Sequence, residues 1–502
     1  MHIIDFNTSF GRRVVDAPHC SPAALGEDLD RHGVACALTH SHQGIEYDPR
    51  AGNAETIAAA QADRRFMPVA TLDPRDSLGW RAEIERCDGA GVRAFRFFPG
   101  EQGWNVDTVL MRQILQALAK SNVCAVFSAA TLDWSAYGAI ARMTQGLGLP
   151  VVLADISYGT MSEALAVLQE FPHMHLETNW LATVGAIEIM VDEVGADRLL
   201  YGSAAPDFPM QKALNQVLEA DISDADKAAI LGGNAARLLG ITPGQLVGRP
   251  TLDAFEPKRF DEPIVDVHAH LGYWRYPIRD EDYDPTHMLR RMRQFGITRS
   301  VVSSYESMRY DIAAGNRAVA EAIDGHPELL GYVEINPFQI ELSCEEMDRY
   351  YRLPNFAGCE LELSHISSPT GGAAVGKLIA EVAKRGKPVL LKPTGASAAA
   401  ERDLALRHPN LTIVHAHGFP PDWTRVVADA PNICVEFNAS RPSHRSLRAA
   451  IHLLGPERVL FGTDQTLLSV GAAVGLYWDA QMSPEERRLV LHENARRIYR
   501  LA

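Results

Sequence analysis

A basic excess, a cysteine pattern and a long apolar run are all missing from this sequence, and each absence removes a class of function. Lysine and arginine number 48 against 63 aspartates and glutamates, for a formal net charge of −15. Binding to a phosphate backbone needs concentrated positive charge, so nucleic acid is excluded as a partner, and the acidic excess favours solubility instead. Seven cysteines, at 20, 36, 87, 124, 344, 359 and 434, are odd in number and include no C-x-x-C pair. Reduced thiols fit that usage better than a disulfide framework. No apolar stretch approaches the ~20 residues of a membrane span, and Ile3-Ile4-Asp5 follows the start without a basic and apolar leader. The expectation is a soluble cytoplasmic protein without membrane partners.

What the sequence does have is a copy of itself. Ile3-Ile4-Asp5-Phe6-Asn7-Thr8-Ser9-Phe10-Gly11 returns as Ile264-Val265-Asp266-Val267-His268-Ala269-His270-Leu271-Gly272. Gly33-Val34 matches Gly296-Ile297, and Gly52-Asn53 matches Gly315-Asn316. Arg198-Leu199-Leu200-Tyr201-Gly202-Ser203 likewise matches Arg458-Val459-Leu460-Phe461-Gly462-Thr463. A repeat of this length means two domains of about 240 residues, each large enough for its own core. The Pro- and Gly-punctuated stretch 243–262 reads as a linker between domains 1–242 and 263–502.

Within the second half, short β-branched or apolar runs at 264–267, 300–303, 331–335, 359–363, 388–391, 411–414, 433–437 and 459–461 alternate with helical patterns. Eight such βα units predict an α/β domain closed as a (β/α)8 TIM-type barrel, and the repeat predicts two in tandem. An open doubly wound sheet is the competing arrangement, but no Gly-rich phosphate turn follows the first run. Ser483-Pro484-Glu485-Glu486 predicts a capped helix start, with Ser223-Asp224-Ala225-Asp226 as its weaker counterpart.

Strand periodicity puts Asp266, His268 and His270 on one face, which faces inward at the C-terminal end of a barrel strand. Spacing alone carries little weight, because His40/His42, His173/His175 and His415/His417 share it. Position discriminates: His268 and His270 end the first strand, His417 the sixth and Asp464 the eighth, so all four converge on one mouth. The pattern of Asp-x-His-x-His-x-Gly, His417-Gly418, Phe461-Gly462-Thr463-Asp464 and a terminal Asn494-Ala495-Arg496-Arg497 helix resembles the amidohydrolase superfamily, in its decarboxylase-like branch. The resemblance spans both halves. It implies that His268, His270 and Asp464 bind a divalent metal, that His417 polarises substrate or holds a second ion, and that Asp464 shuttles protons.

One departure stands out. Where the family offers a histidine at the end of strand five, this sequence has Lys392. An ammonium cannot coordinate a cation. Three outcomes stay open: a carbamate that becomes an oxygen ligand, a neutral amine acting as base or nucleophile, or a fixed charge that replaces the metal. Glu360 and Glu362 on strand four share a face; Glu362 is a candidate ligand, or a carboxylate paired with Lys392. Glu436 and Asn438 recur in the first copy as Glu177 and Asn179 and read as structural. Tyr273, Trp274, Arg275, Tyr305 and Arg309 lie on loops over the mouth.

At the matching positions the first copy has Asn7, Ser9, Ser128, Asp155 and Ala204, a set that cannot hold zinc. It reads as a degenerate, pseudoenzyme barrel, with the two barrels paired as an intramolecular pseudodimer and a homo-oligomer as a further option. The leading function is metal-dependent hydrolysis of an amide, lactone or related bond of a small molecule. Zinc is the first metal and manganese the second. Asp464, His417 and Lys392 are the catalytic candidates; His268, His270, Asp464, His417, Glu362 and Lys392 are the candidate ligands. Non-oxidative decarboxylation of a small carboxylic acid is the rival reaction, and a non-catalytic scaffold the rival class.

Overall fold

The computed structural model describes residues 1–14, 20–76, 78–276, 278–279, 283–394, 397–440 and 443–501. By its internal contacts the chain divides into two compact units, Met1–Pro257 and Lys258–Ala502. The first unit holds eight parallel strands, β1 (Ile3–Phe10), β2 (Val34–Ser41), β3 (Phe66–Thr71), β4 (Ala94–Phe97), β5 (Cys124–Ser128), β6 (Val151–Ala154), β7 (Met174–Glu177) and β8 (Leu199–Leu200), each beside the next in sequence. Phe6 N donates to Tyr201 O at 2.8 Å and Ser9 N to Ala205 O at 2.9 Å, joining the last strand to the first. The second unit repeats the arrangement with β9 (Ile264–Leu271), β10 (Ile297–Ser304), β11 (Leu329–Glu334), β12 (Phe356–Glu362), β13 (Val389–Lys392), β14 (Ile413–His415), β15 (Ile433–Phe437) and β16 (Val459–Phe461). Here Asp464 N donates to His268 O at 2.8 Å. Helices alternate with the strands throughout. These are two tandem (β/α)8 barrels, as the repeat requires.

Alternation along the strands explains the two layers of each core. In the second unit Val265, Val301, Leu390, Val414 and Leu460 form an inner cluster with Ala495 and Tyr499. Ile264, Val302, Val389, Ile413 and Val459 pack outward in a larger cluster with helix residues such as Leu378 and Val474. Ser483 accepts from Glu486 N while Glu486 accepts from Ser483 N, completing the capping box; Ser223 accepts from Asp226 N. Residues after the first barrel belong to that unit: Leu246 packs with Ile4, Cys36 and Cys124, and Leu252 N donates to Met1 O at 2.8 Å. Among the described residues all seven cysteines are unbridged, and no helix is long and apolar enough to cross a membrane.

The first strand departs from simple periodicity. Ser300 pairs with Asp266 but Val302 pairs with Ala269, so β9 carries one extra residue in that interval. Such a bulge re-aims the side chains around it. Asp266 therefore turns to the seam, where Thr463 Oγ1 donates to it at 2.6 Å and Ser300 Oγ at 2.9 Å, and leaves the face it was expected to share with the two histidines. The same shift lies between Asp5 and Thr8 in β1.

Candidate metal centre

His268 and His270 sit at the C-terminal end of β9, both fully buried. Their Nε2 atoms are 3.1 Å apart, and Asp464 Oδ1 lies 3.0 Å from His270 Nε2 and 3.9 Å from His268 Nε2. The three residues offer donor atoms that all fall within 4.8 Å of one another, and they form the only such group among the described residues. Each imidazole is anchored by its other nitrogen. His268 Nδ1 is 2.7 Å from Glu436 Oε1, and His270 Nδ1 is 2.8 Å from Ser303 Oγ. With those nitrogens engaged as donors, both Nε2 lone pairs and a carboxylate oxygen face one point, an arrangement suited to a cation. The donor set of two imidazoles and one carboxylate suits zinc, and manganese as well.

Electrostatics agree with that reading. Burial disfavours charge on His268, yet Glu436, Asp464 and Glu360 outweigh it and raise its pKa to about 9. With no ion bound, the imidazole therefore carries a second proton, on the Nε2 that an ion would otherwise occupy. Burial would also raise Asp464, but Lys392, His270, His268 and His417 hold its carboxyl well below the usual carboxylate range. The acids of β11 and β12 add to this field. Glu360 is fully buried and neither of its oxygens has a hydrogen-bond partner among the described residues. Burial, reinforced by Glu360 and Glu362, pushes Glu334 well above its ordinary value.

His417 and Asp464 both adopt left-handed backbone, with φ of 70° and 60°, a conformation that costs about 1–2 kcal/mol outside glycine. Strain of this kind is kept where the surroundings over-determine a side chain's aim. His417 Nε2 lies 3.9 Å from Asp464 Oδ2, its Nδ1 contacts Ser440 Oγ, and its backbone N donates to Glu436 Oε1 at 2.7 Å. It borders the three donors without joining them. Lys392 and Glu362 stand together instead, with Nζ 3.0 Å from Oε2. Burial disfavours the Lys392 ammonium, but Glu362, Asp464 and Glu360 more than compensate and raise its pKa above the usual amine range. Over the mouth, Trp274 is buried, stacks on Tyr305 at 4.1 Å and meets the His270 ring edge-on at 5.3 Å. Arg309 donates to His365 O at 2.9 Å; Tyr273 is exposed.

Sequence reasoning undervalued Glu436. It read as structural because it recurs as Glu177, yet it holds both His268 and the backbone of His417. The available signal was a carboxylate at a strand end beside Gly462. A β-carbon at Gly462 would meet Glu436 Oε2 at 2.1 Å, and one at Gly202 would meet Glu177 Oε1 at 2.4 Å. The glycine shared by Phe461-Gly462-Thr463-Asp464 and Tyr201-Gly202-Ser203-Ala204 makes room for that acid.

Sequence reasoning also missed what fills the first barrel. Arg96, on β4 at the place Glu360 takes on β12, donates to Asn7 Oδ1 at 2.5 Å, Ser128 Oγ at 2.9 Å and Asp155 Oδ2 at 2.7 Å. Those partners occupy the positions of His268, Lys392 and His417. Glu177 accepts from Asn7 Nδ2 at 3.1 Å, just as Glu436 pairs with His268. A second basic side chain, the fully buried Lys212, hydrogen-bonds Asn179 and lies over the Trp180 ring at 5.3 Å. Asp155 and Ala204 keep the left-handed backbone of His417 and Asp464, with φ of 62° and 55°. His40 and His42 are buried with rings 6.1 Å apart, and burial, aided by Arg96, keeps His40 well below its ordinary value.

A family model described as Amidohydrolase matches residues 9–241 and again 265–501. No curated protein matches the chain. Among solved structures, the chain is similar to a dihydroxybenzoic acid decarboxylase from Polaromonas sp. JS666 with bound manganese and the inhibitor 2-nitroresorcinol, at 16% identity and a TM-score of 0.41 over 48% of this chain and 97% of that one. It is similar to an amidohydrolase from Burkholderia multivorans with bound zinc, at 16% identity and a TM-score of 0.40 over 48% of this chain and 100% of that one. A 5-carboxyvanillate decarboxylase from Sphingomonas paucimobilis gives 15% identity and a TM-score of 0.39 over 48% and 99%.

Proposed function

Because the chain belongs to the amidohydrolase family, matched by that family's model in both halves, we propose that its second barrel is a metal-dependent hydrolase of an amide, lactone or related bond in a small molecule. The observation that carries the reading is the meeting of His268, His270 and Asp464, each imidazole fixed by a partner on its far nitrogen. These three residues would hold a zinc-type ion. Such an ion, when bound, lowers the pKa of water towards neutrality and polarises a carbonyl.

The chain's own groups supply the rest. Asp464 is anionic and central, so it takes the proton from the attacking water and returns it to the leaving group. His417 stands beside Asp464 and is tethered through Ser440, and there it would stabilise the oxygen on which charge develops. The Lys392 ammonium, paired to Glu362, serves as a fixed donor that orients a substrate carbonyl or carboxylate, a role its ion pair supports better than ligation. Trp274 and Tyr305 wall off solvent on the β9 side. The first barrel, with Arg96 balancing Asp155, acts as a metal-free partner domain. On this reading the protein works in the cytoplasm.

The test combines metal analysis with product analysis on the purified full chain. One divalent ion per chain, lost in His268→Ala together with acid or amine release from a lactone and amide panel, is the expected result. Carbon dioxide release in place of hydrolysis would move the reaction to decarboxylation. A chain without metal, indifferent to His268→Ala, would leave a scaffold.

A further inference from the structure

At the opposite end of the second barrel from His268, the strand N-termini and the last helix border an open cavity of about 650 Å³. That size suits a small organic ligand. Its lining includes Arg299, His326, Lys387 and Arg500, and no aspartate or glutamate. Among the described residues none of these four basic side chains makes an ion pair: Arg299 donates to Thr298 O at 3.0 Å, Lys387 to Phe356 O, and Arg500 to Gly386 O at 3.5 Å. Apolar surface from Phe356 and Leu501 completes the wall.

The internal repeat provides a control for whether this lining is incidental. Arg299, His326, Lys387 and Arg500 correspond to Cys36, Asp63, Val123 and Gly240 in the first copy, where no position is basic and one is acidic. There Leu246 packs against Ile4, Cys36 and Cys124. Arg500 is the more telling exchange. Gly240 ends its helix in left-handed backbone at φ 66°, which glycine adopts freely, whereas Arg500 ends the matching helix at φ 54°. The second copy thus carries a strained arginine at a position where glycine is the relaxed choice, and places it on a cavity already lined by cations. Burial, and then the Arg500 charge, lower the Lys387 pKa, so an anion would relieve a repulsion built into the wall.

We propose that this cavity is a second ligand site that takes a small amphipathic anion, a carboxylate on an apolar body, with Lys387 and Arg500 holding the carboxylate and Phe356 and Leu501 the body. The site lies away from the metal centre, so the ligand stabilises the barrel by mass action rather than entering its chemistry. Calorimetric titration of the full chain with sodium octanoate below its micelle concentration tests this, beside octanol and inorganic phosphate. Octanoate is expected to bind at least tenfold more tightly than either control and to raise the thermal midpoint. Arg500→Gly is expected to leave the unliganded protein as stable or more so, by releasing backbone strain, while weakening octanoate at least tenfold; Lys387→Met weakens it likewise. Octanoate binding no tighter than octanol or phosphate overturns the proposal, as does wild-type affinity in the Lys387→Met, Arg500→Gly double variant.

Discussion

Replacing Glu436 by glutamine separates the charge behind His268 from its geometry. Glu436 Oε1 stands 2.7 Å from His268 Nδ1, 2.7 Å from the backbone N of His417 and 3.3 Å from Asn438 Nδ2. An amide oxygen can keep all three contacts, so the fold and the aim of His268 persist while one buried negative charge disappears. Charge-assisted bonds of this sort are worth about 1.5–3 kcal/mol, and changes behind a metal-bound histidine typically cost 10–100-fold in metal affinity. Because the geometry survives, Glu436→Gln should fall in the lower half of that range. Glu436→Ala, which also strips the acceptor from these three N–H groups, should reach or pass the upper end. The assay is competition with a calibrated chelator, read as the ion's dissociation constant, with activity restored at saturating metal for the glutamine variant. In the metal-free protein the His268 titration, read by NMR, should drop from about 9 towards the ordinary histidine range. Unchanged metal affinity in both variants would refute the argument that Glu436 tunes the centre.

Gly462→Ala should destabilise the second unit by about 1–3 kcal/mol, since its β-carbon would overlap Glu436 Oε2 at 2.1 Å; denaturant unfolding checks this, and metal affinity should fall in parallel. In the first unit, Arg96→Met leaves Asp155 buried beside Glu177 without its cation and should cost about 3–5 kcal/mol. The Arg96→Met, Asp155→Asn pair should recover much of that loss, and additive losses would contradict the internal-cation reading. Burial lowers Lys212 from its ordinary 10.5 to about 7, against the opposing pull of Glu177 and Asp155. The folded unit therefore sheds a proton that the unfolded chain keeps, and this group makes stability rise as pH goes from 7 to 10. Lys212→Met should flatten that rise in urea midpoints, and an unaltered slope would count against it.

The repeat, the barrel order and the three-residue centre were legible because each rests on periodicity and on the ends of β-branched runs. His268 and His270 recur two apart, and Asp464 ends the last run, so topology alone brings them together. Asp266 was misplaced because an extra residue in β9 breaks the alternation, and a bulge leaves no signature in side-chain type. Glu436 was undervalued because recurrence in a copy without ligands looked like a packing role; in fact its counterpart Glu177 performs the same act on Asn7. Arg96 and Lys212 escaped notice because an arginine on a strand and a lysine on a helix are ordinary surface residues until the fold turns them inward. The 3.0 Å approach of Lys392 to Glu362 was not legible either, because no spacing in the sequence encodes it.

Ala204 holds a backbone posture that serves no side chain of its own. Its φ of 55° and that of Asp155 at 62° repeat the bends that Asp464 and His417 take around the three donors of the second barrel, much as a mould outlasts a casting. With Arg96 cut back and histidines at 7 and 9, an aspartate at 204 would emerge from a main chain already bent to present it, so a second cluster of three donors in this molecule is a matter of side-chain grafting and not of refolding.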